Sequence, residues 1–135
     1  MSIINVVGAK IWGGGEQYVY DICKQLQQRH RTAYILVDQS NEDMQSRYAQ
    51  VGHVMTANLY TLKGFLSVNA VAKQMKGQRI NTIVCHSGKY ILFCIALKQL
   101  TGAKLVFIKH NLVPGKTDMY HRWINAQVDA FVCVS

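Results

Sequence analysis

The chain has 135 residues, half of them apolar, with a single proline and a formal net charge of +8. That length is enough for one buried core, and the composition excludes a disordered tail or a proline-rich linker. The longest apolar run, Tyr90 to Leu97, lies between Lys89 and Lys98, far short of the roughly 20 residues of a membrane span, and Met1-Ser2 enters an apolar run with no basic stretch that would suggest a signal peptide.

The first of those runs, Ile3 to Val7, predicts a buried strand. A loop with Gly13-Gly14-Gly15 follows, and then Val19, Ile22, Cys23 and Leu26 recur at the spacing of one helix face. Thr32 to Asp38 predicts a second strand from its aromatic and branched residues. Gln39 to Asp43 reads as a turn or helix start, and Met44 to Gln50 as a short helix. His53 to Thr56 is a third strand. Leu59 to Lys76 is a longer helix with Phe65, Val68, Ala72 and Met75 on its apolar face. Ile80 to Cys85 is a strand, and Gly88 to Leu100 is a helix that is apolar nearly all round. Lys104 to Ile108 is a strand, Leu112 to Thr117 a loop, and Asp118 to Gln127 a helix with Asp118 as its N-cap. Ala130 to Val134 is a last strand.

Strands and helices alternate with short connections, which predicts one α/β domain over residues 1–135: a Rossmann-like parallel sheet with helices on both faces. The strands are continuous apolar runs, as strands buried on both faces should be. An apolar strand as the last element leads us to expect that the native polypeptide continues. Cys23, Cys85, Cys94 and Cys133 sit inside apolar elements with no C-x-x-C pair, so they are expected to be small buried hydrophobes of a reducing cytoplasm.

Charge is distributed unevenly. Between Met44 and Thr117 there is no Asp or Glu, while Arg47, Lys63, Lys73, Lys76, Arg79, Lys89, Lys98, Lys104, Lys109 and Lys116 all fall there. Such a stretch attracts an anionic ligand or surface, unless an acidic partner domain balances it.

In open parallel sheets ligands bind beyond the carboxyl ends of the strands. Three such ends carry polar residues: Gly13-Gly14-Gly15-Glu16, Cys85-His86-Ser87-Gly88 and Lys109-His110-Asn111. Glycines at a helix start allow positive φ and let an anion approach backbone N–H groups. The residues from Gly8 to Gly13 do not make the G-x-G-x-x-G dinucleotide fingerprint, and Glu16-Gln17 after Gly15 rules out a P-loop. Glu16 would repel a triphosphate, but it suits a helix cap or sugar hydroxyls. His86 and His110 are expected at the ligand rim, with structural hydrogen bonding as the alternative for each. No third ligand at zinc-like spacing accompanies them, and no Ser/His/Asp triad can be drawn.

These pieces, in order, resemble the N-terminal domain of a GT-B glycosyltransferase of family 4. The resemblance is carried by Gly13-Gly14-Gly15-Glu16 and its helix, the Tyr34 to Asp38 strand, Ile80 to Ser87, Leu105 to Asn111, and Val128 to Ser135. It departs from the family at Gly15, where a small side chain is more frequent, and at Asn81, where Asp is frequent. The resemblance implies transfer of a sugar from a nucleotide-sugar donor, with retention and no obligatory metal or other cofactor. The acceptor would be a saccharide or lipid-linked molecule in cell-surface polysaccharide or lipopolysaccharide synthesis. It places Gly13, Gly14 and Gly15 at the donor diphosphate and His110 at the reacting centre. Glu16, His86, Ser87 and Asn111 fall on the acceptor or sugar side.

The family's donor-nucleotide site, with its Glu-x7-Glu element, belongs to a second Rossmann-like domain that these residues do not contain. The chain alone is therefore expected to be inactive. A cytoplasmic location is expected, with peripheral contact to an anionic inner-membrane face through Leu62-Lys63-Gly64-Phe65-Leu66, Lys73 and Lys76. The competing reading is a non-catalytic α/β nucleotide- or nucleic-acid-binding module; nucleic acid is disfavoured as a partner because the aromatics lie in core elements rather than among the basic residues.

Overall fold

The computed structural model describes residues 2–8, 11–59, 64–75, 79–109 and 119–133. Its elements are β1 (Ser2–Val7), α1 (Gly14–Gln28), β2 (Tyr34–Asp38), α2 (Glu42–Ala49), β3 (His53–Ala57), α3 (Gly64–Gln74), β4 (Ile80–Cys85), a 3-10 turn (Gly88–Tyr90), α4 (Ile91–Thr101), β5 (Lys104–Lys109), α5 (Met119–Gln127) and β6 (Ala130–Cys133). Each of the six expected strands and five expected helices is present.

All neighbouring strands are parallel, in the order β3-β2-β1-β4-β5-β6. The chain steps outward from β1 to β3, crosses back to β4, and steps outward the other way to β6. The order therefore reverses between β1 and β4. Alternate side chains of each central strand enter two different cores. Ile4, Val6 and Leu36 join residues of α3 and α4, including Val71 and Leu97, on one face. Val7, Ile35 and Val37 join Val19 and Cys23 of α1 and Met44 and Tyr48 of α2 on the other. Burial on both faces is why these strands read as unbroken apolar runs, and each fully buried aliphatic side chain contributes about 1.5–3 kcal/mol.

Helix starts differ from the periodicity reading. The α2 helix begins at Glu42, because the Asn41 side chain accepts from the Met44 N–H at 3.1 Å and caps it. Leu59, expected to open α3, is not helical: it is buried, and its N–H donates to Asp38 Oδ1 at 3.1 Å. Gly88–Tyr90 forms a 3-10 turn rather than the first turn of α4. On α3, Val68, Val71 and Met75 are buried and Lys73 is exposed. The side chains of Phe65 and Ala72, and residues 60–63 and 76–78, lie outside the described part, as does the expected cap Asp118.

The thiols of Cys23, Cys85 and Cys94 are free and buried. Burial pushes Cys23 up to about 11 and raises Cys94 well above its ordinary value, with neighbouring Cys85 adding to the effect. These are inert packing residues.

Candidate functional site

The parallel sheet brings the exits of β1 and β4 side by side, since Val6 pairs with Cys85. This is the switch point of the sheet, where helices diverge to opposite faces and leave a crevice. Gly8, the first residue out of β1, is packed so closely that an added Cβ would lie 2.7 Å from a Tyr90 ring carbon and 2.9 Å from Leu59. The exits of β1, β3 and β4 thus converge there, and only a residue without a side chain fits.

Of the three glycines, Gly13 is the N-cap of α1 and Gly14 opens the helix. The backbone of Gly13 is extended (φ −140°), and Gly102 is the glycine with positive φ among the described residues. The expected use of positive φ at this turn is therefore corrected: the turn does not need glycine for its dihedral angles. What glycine supplies at Gly14 is room, because a Cβ there would meet nothing within 4 Å. The α1 N-terminus consequently presents bare backbone, and first-turn N–H groups have no partner within a helix.

Glu16 closes part of this arrangement. Its Oε2 accepts from the Gly13 N–H at 2.9 Å, and the Gln17 N–H donates to the Gly13 carbonyl at 3.0 Å. The carboxylate thus acts as a helix cap on the Gly13 N–H.

Behind the turn stands an aromatic cluster that periodicity could not reveal. The Trp12 ring packs against Tyr48 and Tyr20, with centroids 5.2 and 5.9 Å away. The Arg47 guanidinium lies 4.9 Å from the Trp12 ring centroid, and the Trp12 Nε1–H donates to Gln17 Oε1 at 3.1 Å. Fully buried Tyr48 donates its hydroxyl to the Glu16 carbonyl at 2.9 Å; burial, with Glu16 nearby, raises its pKa far above the ordinary value. Residues on both sides of the glycines are therefore fastened to α2.

At the β4 exit, half-buried His86 makes a 3.1 Å hydrogen bond from Nε2 to Oδ1 of Asn5. Ser87 receives the Lys89 N–H on its Oγ at 3.2 Å and the Cys85 thiol on its carbonyl, so it shapes the turn into α4. Asp38, buried at the end of β2, accepts from the Ser40 N–H and hydroxyl and from the Leu59 N–H; it ties β2 to the strand exit beside it. The third expected rim group, His110 with Asn111, follows β5 in the sequence and lies outside the described residues. Asn5 and Trp12 were not singled out from the sequence, although Asn5 is the one polar residue between Ile3 and Val7.

Among the described residues, no cluster of three His, Cys, Asp or Glu side chains could hold a metal ion, and no helix is long and apolar enough to cross a membrane.

The profile described as Glycosyltransferase Family 4 matches residues 12–135. MurG of Acinetobacter baumannii superposes with a TM-score of 0.70 at 12% identity, over 99% of this chain and 41% of that one. Anabaena Alr3699/HepE in complex with UDP-glucose gives 0.67 at 18% identity, over 97% and 36%. The lipopolysaccharide outer core galactosyltransferase WaaB, in its apo form, gives 0.59 at 12% identity, over 97% and 38%. At these identities the likeness is one of fold, and the chain spans about two-fifths of each structure's length. No curated protein sequence matches.

Proposed function

This chain belongs to glycosyltransferase family 4, and on that premise we propose that it is the acceptor-side domain of a two-domain enzyme. That enzyme moves a sugar, with retention, from a nucleotide-sugar donor to a saccharide or lipid-linked acceptor of a cell-surface polysaccharide or lipopolysaccharide. The observation that carries the reading is the pairing at the switch point: an open helix N-terminus at Gly14 on one side and a hydrogen-bonded histidine, His86, on the other.

The chemistry follows from that pairing. Transfer breaks the bond from the anomeric carbon to the diphosphate oxygen and forms one to the oxygen of an acceptor hydroxyl, whose proton passes to the leaving diphosphate, so negative charge grows on that phosphate as its bond to carbon breaks. Backbone N–H groups at a helix start, helped by the helix dipole, stabilise such charge without having to reorient. With the Gly13 N–H bonded to Glu16, the N–H groups from Gly14 onward do this work. His86 and Ser87 line the acceptor side, and His110 with Asn111 serves the reacting sugar. UDP-glucose, found in HepE, is the first donor to try. The donor nucleotide itself is held by the second domain.

The test is an assay of the two-domain protein with UDP-glucose and other nucleotide-sugars against saccharide and lipid-linked acceptors, with the anomeric configuration of the product read by NMR. Inversion, or hydrolysis with no acceptor dependence, would contradict the proposal. The 135-residue chain alone is expected to show no turnover; measurable transfer by it refutes the two-domain division. The acid-free stretch from Met44 to Thr117 supports peripheral binding to anionic membrane as well, and equal cosedimentation with neutral and anionic vesicles would sink that part.

A further inference from the structure

Formal charge is sorted along the strand axis. Every neighbouring pair of strands is parallel, so all the strands start at one end of the sheet, and each connecting helix runs back to finish there. At this amino end stand Arg29 and Arg31 between α1 and β2, Lys73 near the end of α3, Arg79 before β4 and Lys104 at the start of β5, all five exposed. The described carboxylates lie elsewhere. Glu16 is in the first turn of α1, Asp38 ends β2, Glu42 and Asp43 open α2, and Asp21 sits midway along α1. Asp129 alone among them reaches the amino end, where Lys98 holds it at 3.0 Å with Lys104 nearby.

Helix dipoles do not account for this sorting. A cation is favoured in the last turn of a helix, which describes Lys73 and Lys98. Arg31, Arg79 and Lys104 instead precede or open strands. Arg29, Arg31 and Arg79 take no part in either ion pair of the described residues, Arg47–Asp43 and Lys98–Asp129. The strands β2, β1, β4 and β5 are successive neighbours, so at about 4.8 Å per strand the row of cations is about 15 Å wide. Two aliphatic side chains stand at the same end: Ile3 of β1, 40% exposed, and Leu100 in the last turn of α4, 50% exposed. Cations around exposed aliphatics suit a bilayer interface, where the charges meet head groups and the aliphatics meet acyl chains. Nucleic acid would call for stacking aromatics in their place.

We propose that the amino end of the sheet is the membrane-facing surface of the domain, with Arg29, Arg31 and Arg79 at its centre and anionic phospholipid as its partner. This rests on the peripheral membrane binding proposed above, and it places that contact at the end opposite Gly64, where α3 begins. The crevice at the carboxyl end then stands off the bilayer by the length of a six-residue strand, roughly 20 Å, and stays open to the second domain.

The test is cosedimentation of the 135-residue chain with phosphatidylcholine vesicles and with vesicles containing about 30% phosphatidylglycerol, at about 0.1 M salt. Wild type is expected to prefer the anionic vesicles, and the preference to fall as salt rises. The Arg29→Gln/Arg31→Gln/Arg79→Gln variant is expected to bind them more weakly, on the order of tenfold or more. A charge-matched control, Lys63→Gln/Lys89→Gln/Arg122→Gln, alters the residue before α3, the turn after β4 and the first half of α5; it is expected to stay within about twofold of wild type. An equal loss in the two variants shows that net charge alone decides, and overturns the proposal. An anionic preference that the arginine variant keeps also overturns it, while the membrane reading stands. No anionic preference in wild type refutes the membrane reading itself, and this proposal with it. Binding of a single-stranded oligonucleotide that depends on the three arginines and is tighter than binding to anionic vesicles assigns the surface to nucleic acid, and overturns the proposal as well.

Discussion

Replacing Gly14 with alanine separates what this position does for folding from what it does for function. The added methyl meets nothing within 4 Å, and Gly14 is already the first residue of α1 with an ordinary helical neighbour on its C-terminal side. Alanine in a helix interior is favoured over glycine by about 1 kcal/mol. In the first turn about half of that is expected, or roughly 0.5 kcal/mol of added stability. For a domain of this size that raises Tm by about 2 °C, measurable by circular dichroism on the 135-residue chain. The same methyl projects into the space where a donor phosphate would approach the backbone. In the two-domain enzyme kcat/KM is therefore expected to fall at least tenfold, a loss of about 1.4 kcal/mol in transition-state stabilisation. A lowered Tm would show that the space is not open. A raised Tm with unchanged kcat/KM would show that no ligand approaches Gly14, and the role assigned to the glycine turn would fail.

Other positions give firmer structural tests. Gly52→Ala puts a Cβ 2.7 Å from the Ala33 carbonyl oxygen, which is fixed by accepting from the His53 N–H at 2.8 Å; a loss of about 2–3 kcal/mol is expected in urea unfolding, and a loss under 0.5 would refute the contact. Trp12→Ala removes the ring between Tyr48, Tyr20 and Arg47 and is expected to cost about 2 kcal/mol, with Trp12→Phe recovering part of it; equal stability of the two variants would count against the packing. Asp129 accepts from the Leu105 N–H and from Lys98, and these contacts hold its carboxyl below the ordinary 3.8. The depressed value means that its stabilisation is complete above pH 3.8 and is lost as pH falls below that toward the folded-state pKa. Asp129→Asn should therefore lower stability at pH 6 by about 1 kcal/mol, a figure already reduced for the exposure of the pair, and by less at pH 3; a pH-independent difference contradicts this.

The sheet was legible in the sequence because every strand is a contiguous apolar run, and contiguity survives without any long-range information. Helix starts were less legible, because caps and tertiary anchors set them: Asn41 pulls α2 forward, and the Leu59 N–H, taken by Asp38, keeps that residue out of a helix. At the site, the glycines, Glu16, His86 and Ser87 could be found from their places after strands. Their roles could not be separated there. Glu16 makes the cap bond to the Gly13 N–H, and the glycine turn leaves open space at Gly14 without using positive φ. Asn5 and Trp12 escaped notice because their partners are 81 residues away in one case and across two helices in the other. A single polar residue inside an apolar strand was the available signal for Asn5.

Asn5 and the glycine turn also belong to one physical scheme. Helices α1 and α2 bury residues of β1 and β2, whereas α3 and α4 pack on the opposite face, against residues of β1 to β5. On the α1 side of the sheet, therefore, the strands beyond β1 have less cover: Thr82 and Val84 of β4 and Val106 of β5 are only part-buried, and Val132 of β6 is exposed. The Asn5–His86 bond lies along this border, where one core ends and water or ligand begins. A histidine there would be free to reorient if it were held by its own backbone alone. Tied to a central strand, it inherits the rigidity of the sheet, as the glycine turn inherits that of α2 through Trp12 and Tyr48. Both sides of the crevice are thus anchored to the packed half of the domain.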